Sequence, residues 1–172
     1  MATPRSLRIR AEEARDRAAV RRVHTEAFGR PDEADLVDRL REQARPYLGL
    51  VAEQEGAVVG HIAFSPVTVA PPSERSLWGL APMAVRPALQ RQGIGTALVE
   101  EGLRACRRAG GEAVVVLGHP RYYPRFGFRP ASRFGLSCVY DAPDEAFLAL
   151  ELTPGGLDGV AGVAHYHPTF AG

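Results

Sequence analysis

Chemistry in this chain concentrates in two short segments. The first is Leu80-Ala81-Pro82-Met83-Ala84-Val85, followed after a short link by Gln90-Arg91-Gln92-Gly93-Ile94-Gly95. It reads as a strand, a turn rich in backbone donors and the start of a helix. A helix N-terminus leaves its first N–H groups unpaired and carries roughly half a positive charge, so an anion belongs there. Gly93 and Gly95 lack a Cβ, which lets a pyrophosphate come close to the backbone. Two common phosphate loops are excluded by residue type. A Walker loop needs a Lys followed by Ser or Thr, and this chain contains no Lys. A dinucleotide fingerprint needs a third small residue where Leu98 stands. It also wants an acidic residue closing the next strand, which here runs into Gly118-His119.

The second segment is Tyr122-Tyr123-Pro124-Arg125-Phe126-Gly127-Phe128, after the apolar run Ala113-Val114-Val115-Val116-Leu117. In order and separation the pair resembles the Q/R-x-x-G-x-G/A acetyl-CoA loop and the F-Y-x-x-x-G-F segment of the GNAT superfamily of acyl-CoA-dependent N-acyltransferases. The likeness runs from about residue 7 to 152, and its detail is similar to the bacterial branch of predicted acetyltransferases. It implies an α/β fold: a mixed sheet of about seven strands, splayed between the fourth and fifth and flanked by about four helices. It further implies acetyl-CoA as co-substrate and no metal. Met83, Ala84 and Val85 would present backbone groups to the pantetheine arm and thioester. Gln90, Arg91, Gln92, Gly93, Ile94, Gly95 and Thr96 would wrap the pyrophosphate. The superfamily often carries an Asn a few residues before the Tyr; this chain has no Asn, so the contacts of that residue are not carried over.

The implied reaction is direct attack by a primary amine on the acetyl thioester through a tetrahedral intermediate. The departing thiolate needs a proton or a hydrogen bond. Tyr123, in the second aromatic position, suits that role, because a phenol with a reference pKa of about 10 stays protonated at neutral pH. The alternative is a packing ring like Tyr122, Phe126 and Phe128. For the base, Glu26, Glu33, His61 and His119 lie on segments that border an acceptor site, and none has a spacing that requires it. His119 closes the strand before Tyr123 and is the best placed of the four, although a capping or solvent-exposed His is the plainer reading; deprotonation through water needs no side chain. His165 and His167 flank Tyr166 with no third ligand nearby, so no metal is expected. The acceptor side offers Phe28, Arg30, Glu33, Tyr47, Arg133 and Phe134, without a dominant charge. A small-molecule or peptide amine fits that set. The competing class is a non-catalytic acyl-CoA-binding module that senses cofactor or serves a partner.

The helix after the loop is well specified. Ile94, Leu98, Val99, Gly102, Leu103, Ala105, Cys106 and Ala109 fall in one half of its wheel, charged residues fill the other, and Gly110-Gly111 ends it. Upstream, a strand at 7–10 precedes a helix at 16–28, with Val20, Val23, His24 and Ala27 on one face. Gly29-Arg30-Pro31 breaks that helix, and Asp32 is expected to cap a second one ending near Pro46. Residues 48–53 and 57–65 read as a hairpin, and 77–85 as the strand before the cofactor loop. Pro82 inside that strand costs a ladder hydrogen bond, so the strand is either bulged and splayed there or lies at an edge. Residues 135–140 and 146–152 are expected to form a last pair of strands, followed by a loosely structured Gly/Pro-rich tail at 153–172.

The whole chain, 1–172, is expected to be one N-acetyltransferase domain with its core at 7–152. At 172 residues it can bury roughly 70% of its unfolded surface. A net charge of +1 argues against nucleic acid or an anionic membrane as partner. Two cysteines are too few for a disulfide framework. The apolar stretches fall short of a signal-peptide core or a membrane span, so a cytoplasmic protein is expected, with a homodimer compatible.

Overall fold

Apolar runs rich in Val, Ala, Leu and Ile set the strands, and the computed structural model describes residues 6–171. The main sheet runs in the order β1 (Leu7–Ala11), β2 (Leu48–Gln54), β3 (Ala57–Ala70), β4 (Leu77–Val85), β5 (Ala113–Leu117), β8 (Phe147–Glu151) and β6 (Arg129–Pro130). Its strands pair antiparallel except for β4 and β5, which are parallel. Two further strands, β7 (Leu136–Cys138) and β9 (Gly162–His165), pair with each other, and β9 also pairs with the end of β3.

The β4–β5 pairing is short. It covers only Leu77↔Ala113, Trp78↔Val114 and Gly79↔Val115, after which β4 continues to Val85 without β5. The other edge of β4 stays on β3 as far as Gly60↔Val85, so β4 is a central strand that loses one neighbour halfway along. Pro82 sits where the β3–β4 register slips: β3 advances from Ile62 to Phe64 while β4 goes from Met83 to Leu80. The extra residue is a bulge, the place where a strand tolerates Pro.

Adjacent residues of a strand face opposite sides of the sheet. On one side Ile62 and Phe64 receive α3 (Ile94–Arg108), whose Gly102 lies against the Phe64 ring. A Cβ at Gly102 would stand 2.5 Å from Phe64 Cε2, so a glycine is required for that approach. The other side is covered twice. Over the β1–β4 half lie α1 (Arg17–Phe28) and α2 (Asp32–Gln43), with Val20, Val37 and Val51 in a small core. Over the β4–β8 half lies a larger core of Val67, Val115, Leu136, Phe147, Leu157, Val160 and Ala164.

That second core overturns the expected loose tail. Leu157, Val160 and Ala164 are buried, and β9 supplies backbone pairing that 153–171 cannot satisfy alone. The two strands expected to pair do not: β8 pairs with β5 and β6, and β7 with β9. The described residues form three α-helices, and the expected fourth helical segment is a 3-10 turn over Tyr123–Phe126. Pro31, without a side-chain cap, precedes α2, so Asp32 is its first residue and its carboxylate acts on the dipole.

Candidate active site

The turn from β4 to α3 is built for backbone donors. Gly93 precedes α3 at φ +87°, in the left-handed region that suits glycine, and no side chain among the described residues caps the helix. Upstream, the Gln90 side-chain amide donates to the Val85 carbonyl at 3.0 Å and ties the loop to the tip of β4. A cleft of about 440 Å³ opens at this helix end, lined by Val85, Leu89, Gln90, Arg91, Gly93, Gly95, Thr96, Tyr122 and Arg125. Thr96 Oγ1 and the Tyr122 hydroxyl are 3.3 Å apart across it. The Arg125 guanidinium lies 4.4 Å from the Tyr122 ring centroid, which leaves a cation beside the uncapped helix end.

A smaller cleft of about 260 Å³ adjoins the first through Val85 and Gln90 and is lined also by Met83, Ala84, Ala27 and Phe28. Of the residues expected to hold cofactor, Met83, Ala84, Val85, Gln90, Arg91, Gly93, Gly95 and Thr96 thus line one cleft or the other. Gln92 is exposed and lines neither. Ile94 is a core anchor, 2% exposed. Tyr123 also lies in the core, packed edge-on to Tyr122 and Phe128 and close against Gly118. Burial, with a smaller contribution from Tyr122, raises its pKa above the ordinary phenol value and holds it protonated. Tyr122 and Arg125 were not among the residues expected at the larger cleft, which both line. The signal was present, since both lie in the motif of Tyr123 and a turn brings neighbours together.

The candidate bases separate clearly. Glu26 is exposed and paired to Arg86 at 3.4 Å, and Glu33 is paired to Arg30. His119 is exposed, and its Nδ1 accepts the Arg121 backbone N–H at 3.4 Å. His61 is different. It is fully buried on β3 as the register partner of Ala84, with Nε2 2.7 Å from Glu12 Oε1 and Nδ1 2.8 Å from His24 Nε2. Glu12 also accepts from the Tyr47 hydroxyl at 2.7 Å and is ion-paired to Arg41. Burial alone would raise the Glu12 pKa; the hydrogen bond and charge of His61, then Tyr47 and Arg41, outweigh it and pull it down to about 2. Burial, then the charge of His61, pushes His24 down to about 3. Sequence reading placed His24 only on a buried helix face and missed Glu12; a His among the apolar positions of α1 was the available signal.

The expected acceptor residues do not converge. Phe28 reaches the smaller cleft, Tyr47 belongs to the Glu12 cluster, Arg30 and Glu33 bind each other, and Phe134 packs in the second core. His165 is exposed and His167 Nδ1 accepts from the Thr169 backbone N–H. No group of three or more His, Cys, Asp or Glu positioned for a metal occurs among the described residues, and none of their helices is long and apolar enough to cross a membrane.

Comparison with known proteins agrees with this geometry. The family model described as Acetyltransferase (GNAT) family matches residues 17–128. The uncharacterized N-acetyltransferase YhbS of Escherichia coli (strain K12) is 40% identical over 164 residues, 94% of this chain and 97% of that protein. The crystal structure of Escherichia coli YhbS in complex with CoA superposes with a TM-score of 0.91 at 36% identity, covering 100% of this chain and 96% of the other. A GNAT family acetyltransferase from Brucella melitensis in complex with acetyl-CoA gives 0.79 at 37% identity, covering 96% and 98%. With its sheet parted beside an uncapped helix end, and with relatives this similar along nearly its whole length, the chain belongs to the GNAT family of acetyltransferases.

Proposed function

We propose that this protein is an N-acetyltransferase that moves the acetyl group of acetyl-CoA to a primary amine by direct attack. The observation that carries the reading is the parting of β4 from β5 after Gly79, on a line that leads to the uncapped start of α3. An extended arm with two amides fits beside a strand whose ladder groups have lost their neighbour, as an added strand would. Backbone N–H groups of Gly93 to Thr96 then meet the pyrophosphate, and Arg91 and Arg125 add positive charge at the same cleft. The solved relatives named above carry CoA and acetyl-CoA, which supports this assignment.

Acetyl-CoA, when bound, supplies the activated acetyl group; the chain supplies position and protons. A backbone N–H on the freed edge of β4, near Met83, stabilises negative charge developing on the carbonyl oxygen. Tyr123 donates to the departing sulfur. Its burial keeps the proton in place, whereas the Tyr122 hydroxyl is engaged with Thr96. The smaller cleft at Phe28 and Ala84 is the side from which the amine approaches.

The test is a broad panel of primary amines with acetyl-CoA, following released thiol and acetylated product by mass. At least one amine acetylated over multiple turnovers is expected. Calorimetric binding of acetyl-CoA with no acetylated amine across the panel would instead support the non-catalytic binding module.

A further inference from the structure

We propose that Glu12, His61 and His24 form a buried proton relay that takes the proton of the attacking amine, with His24 Nδ1 as its entry atom. The proposal rests on the acetyltransferase reading above and adds the base which that reading lacks.

The direction of the relay follows from the donors available. A carboxylate only accepts, so the 2.7 Å contact fixes the proton of neutral His61 on Nε2. His61 Nδ1 is then a bare acceptor, and the 2.8 Å contact fixes the proton of His24 on its own Nε2. His24 Nδ1 is left with a free lone pair; it is buried and has no hydrogen-bond partner among the described residues. A buried polar atom without a partner is costly and calls for a reason. Place supplies one. His61 is paired with Ala84, and His24 lies one helical turn before Ala27 and Phe28; all three of those residues line the smaller cleft. The Phe28 ring stacks parallel on His24, with centroids 6.1 Å apart, and is 42% exposed, so it is the ring that turns aside when an amine or a water reaches Nδ1.

As the amide C–N bond forms and the C–S bond breaks, an amine N–H proton passes to His24 Nδ1. The Nε2 proton of His24 moves to His61 Nδ1. Positive charge then rests on His61 beside the Glu12 carboxylate, rather than on His24, which burial keeps neutral. Tyr123 gives one proton to sulfur while the relay takes one, so a single exchange through solvent resets the site. The groups facing the pair are Glu12, Arg41 from α2 and Tyr47 ahead of β2, with Asp38 paired to Arg41. In this scheme His24 is the proton acceptor, and His61 and Glu12 are positioning residues.

Nitrogen-15 NMR of the imidazoles in the wild-type protein, at a pH above the ordinary His range, tests the tautomers without mutation. A non-protonated Nδ1 and a protonated Nε2 on both rings are expected; a proton on His24 Nδ1 would overturn the relay. In single turnovers His24→Gln, which keeps a donor toward His61 but has no basic nitrogen, should lose about 10²–10³ in rate with unchanged acetyl-CoA affinity. Glu12→Gln, which no longer sets a negative charge against the proton arriving on His61, should slow turnover by about tenfold or more with unchanged acetyl-CoA affinity and unchanged KM for the amine. A merely structural role would move affinity or KM as well. Wild-type rates in His24→Gln refute the relay alone, whereas a wild-type protein that acetylates no amine refutes the acetyltransferase reading and the relay together.

Discussion

Burying His24 neutral has a consequence for stability that can be measured without knowing the substrate. An unfolded chain protonates this side chain at its ordinary value of 6.5, whereas the folded protein does so only near 3. Between those values the unfolded state binds one proton more, so stability falls as pH falls. The slope is about 1.4 kcal/mol for each pH unit, and the full drop is on the order of 5 kcal/mol. That is comparable with the whole stability of many domains, roughly 5–15 kcal/mol. Above the ordinary His range the contribution vanishes, and below about 3 it is flat. Glu12 adds a second loss in a lower window, as pH falls from 4.5 to about 2 and the unfolded chain takes up a proton that the hydrogen-bonded carboxylate of the folded protein does not. Urea unfolding of the wild type and of His24→Gln at a series of pH values isolates the His24 share. Gln does not titrate but keeps a donor for His61 Nδ1, so the variant should show a shallower dependence between pH 6.5 and about 3. Parallel stability curves for the two proteins across that window would refute the claim that His24 is held neutral by burial.

Gly95→Val should weaken acetyl-CoA binding by about tenfold or more, because its Cβ would stand 3.3 Å from the Tyr122 hydroxyl and its methyls would fill the cleft; unchanged calorimetric affinity with an intact fold would count against the cofactor assignment. Tyr123→Phe should lower single-turnover rate by about 10²–10⁴ with little change in acetyl-CoA affinity, whereas Tyr122→Phe, losing its contact to Thr96, should act mainly on affinity. The reverse pattern would move the proton donor to Tyr122. Gly102→Ala should destabilise by about 1–3 kcal/mol despite the better helix propensity of Ala, since the fully buried Phe64 ring has no room to retreat. A higher melting temperature for that variant would show the contact to be slack.

The turn proposed to hold the cofactor was legible in the sequence as a turn and a helix start because its determinants are local. Gly93 and Gly95 at the start of an amphipathic helix, after an apolar strand, fix a turn and an unpaired helix end within a few residues. Strand β4 and strand β5 have the limits expected from their apolar runs. Pro82 announced an irregularity, although only the sheet distinguishes a bulged central strand from an edge. Elements whose partners lie far along the chain were not legible. The segment after Thr153 has weak local preference, and it is ordered because β3 and β7 offer it an edge and a core to bury Leu157, Val160 and Ala164. The Glu12–His61–His24 cluster joins a loop, a strand and a helix across sequence separations of 49 and 37 residues. No periodicity links those three residues; each on its own reads as a surface acid or a core histidine. Only packing α1 and α2 against one face of the sheet brings them within hydrogen-bond distance, since a carboxylate and two imidazoles removed from water stay together by satisfying one another.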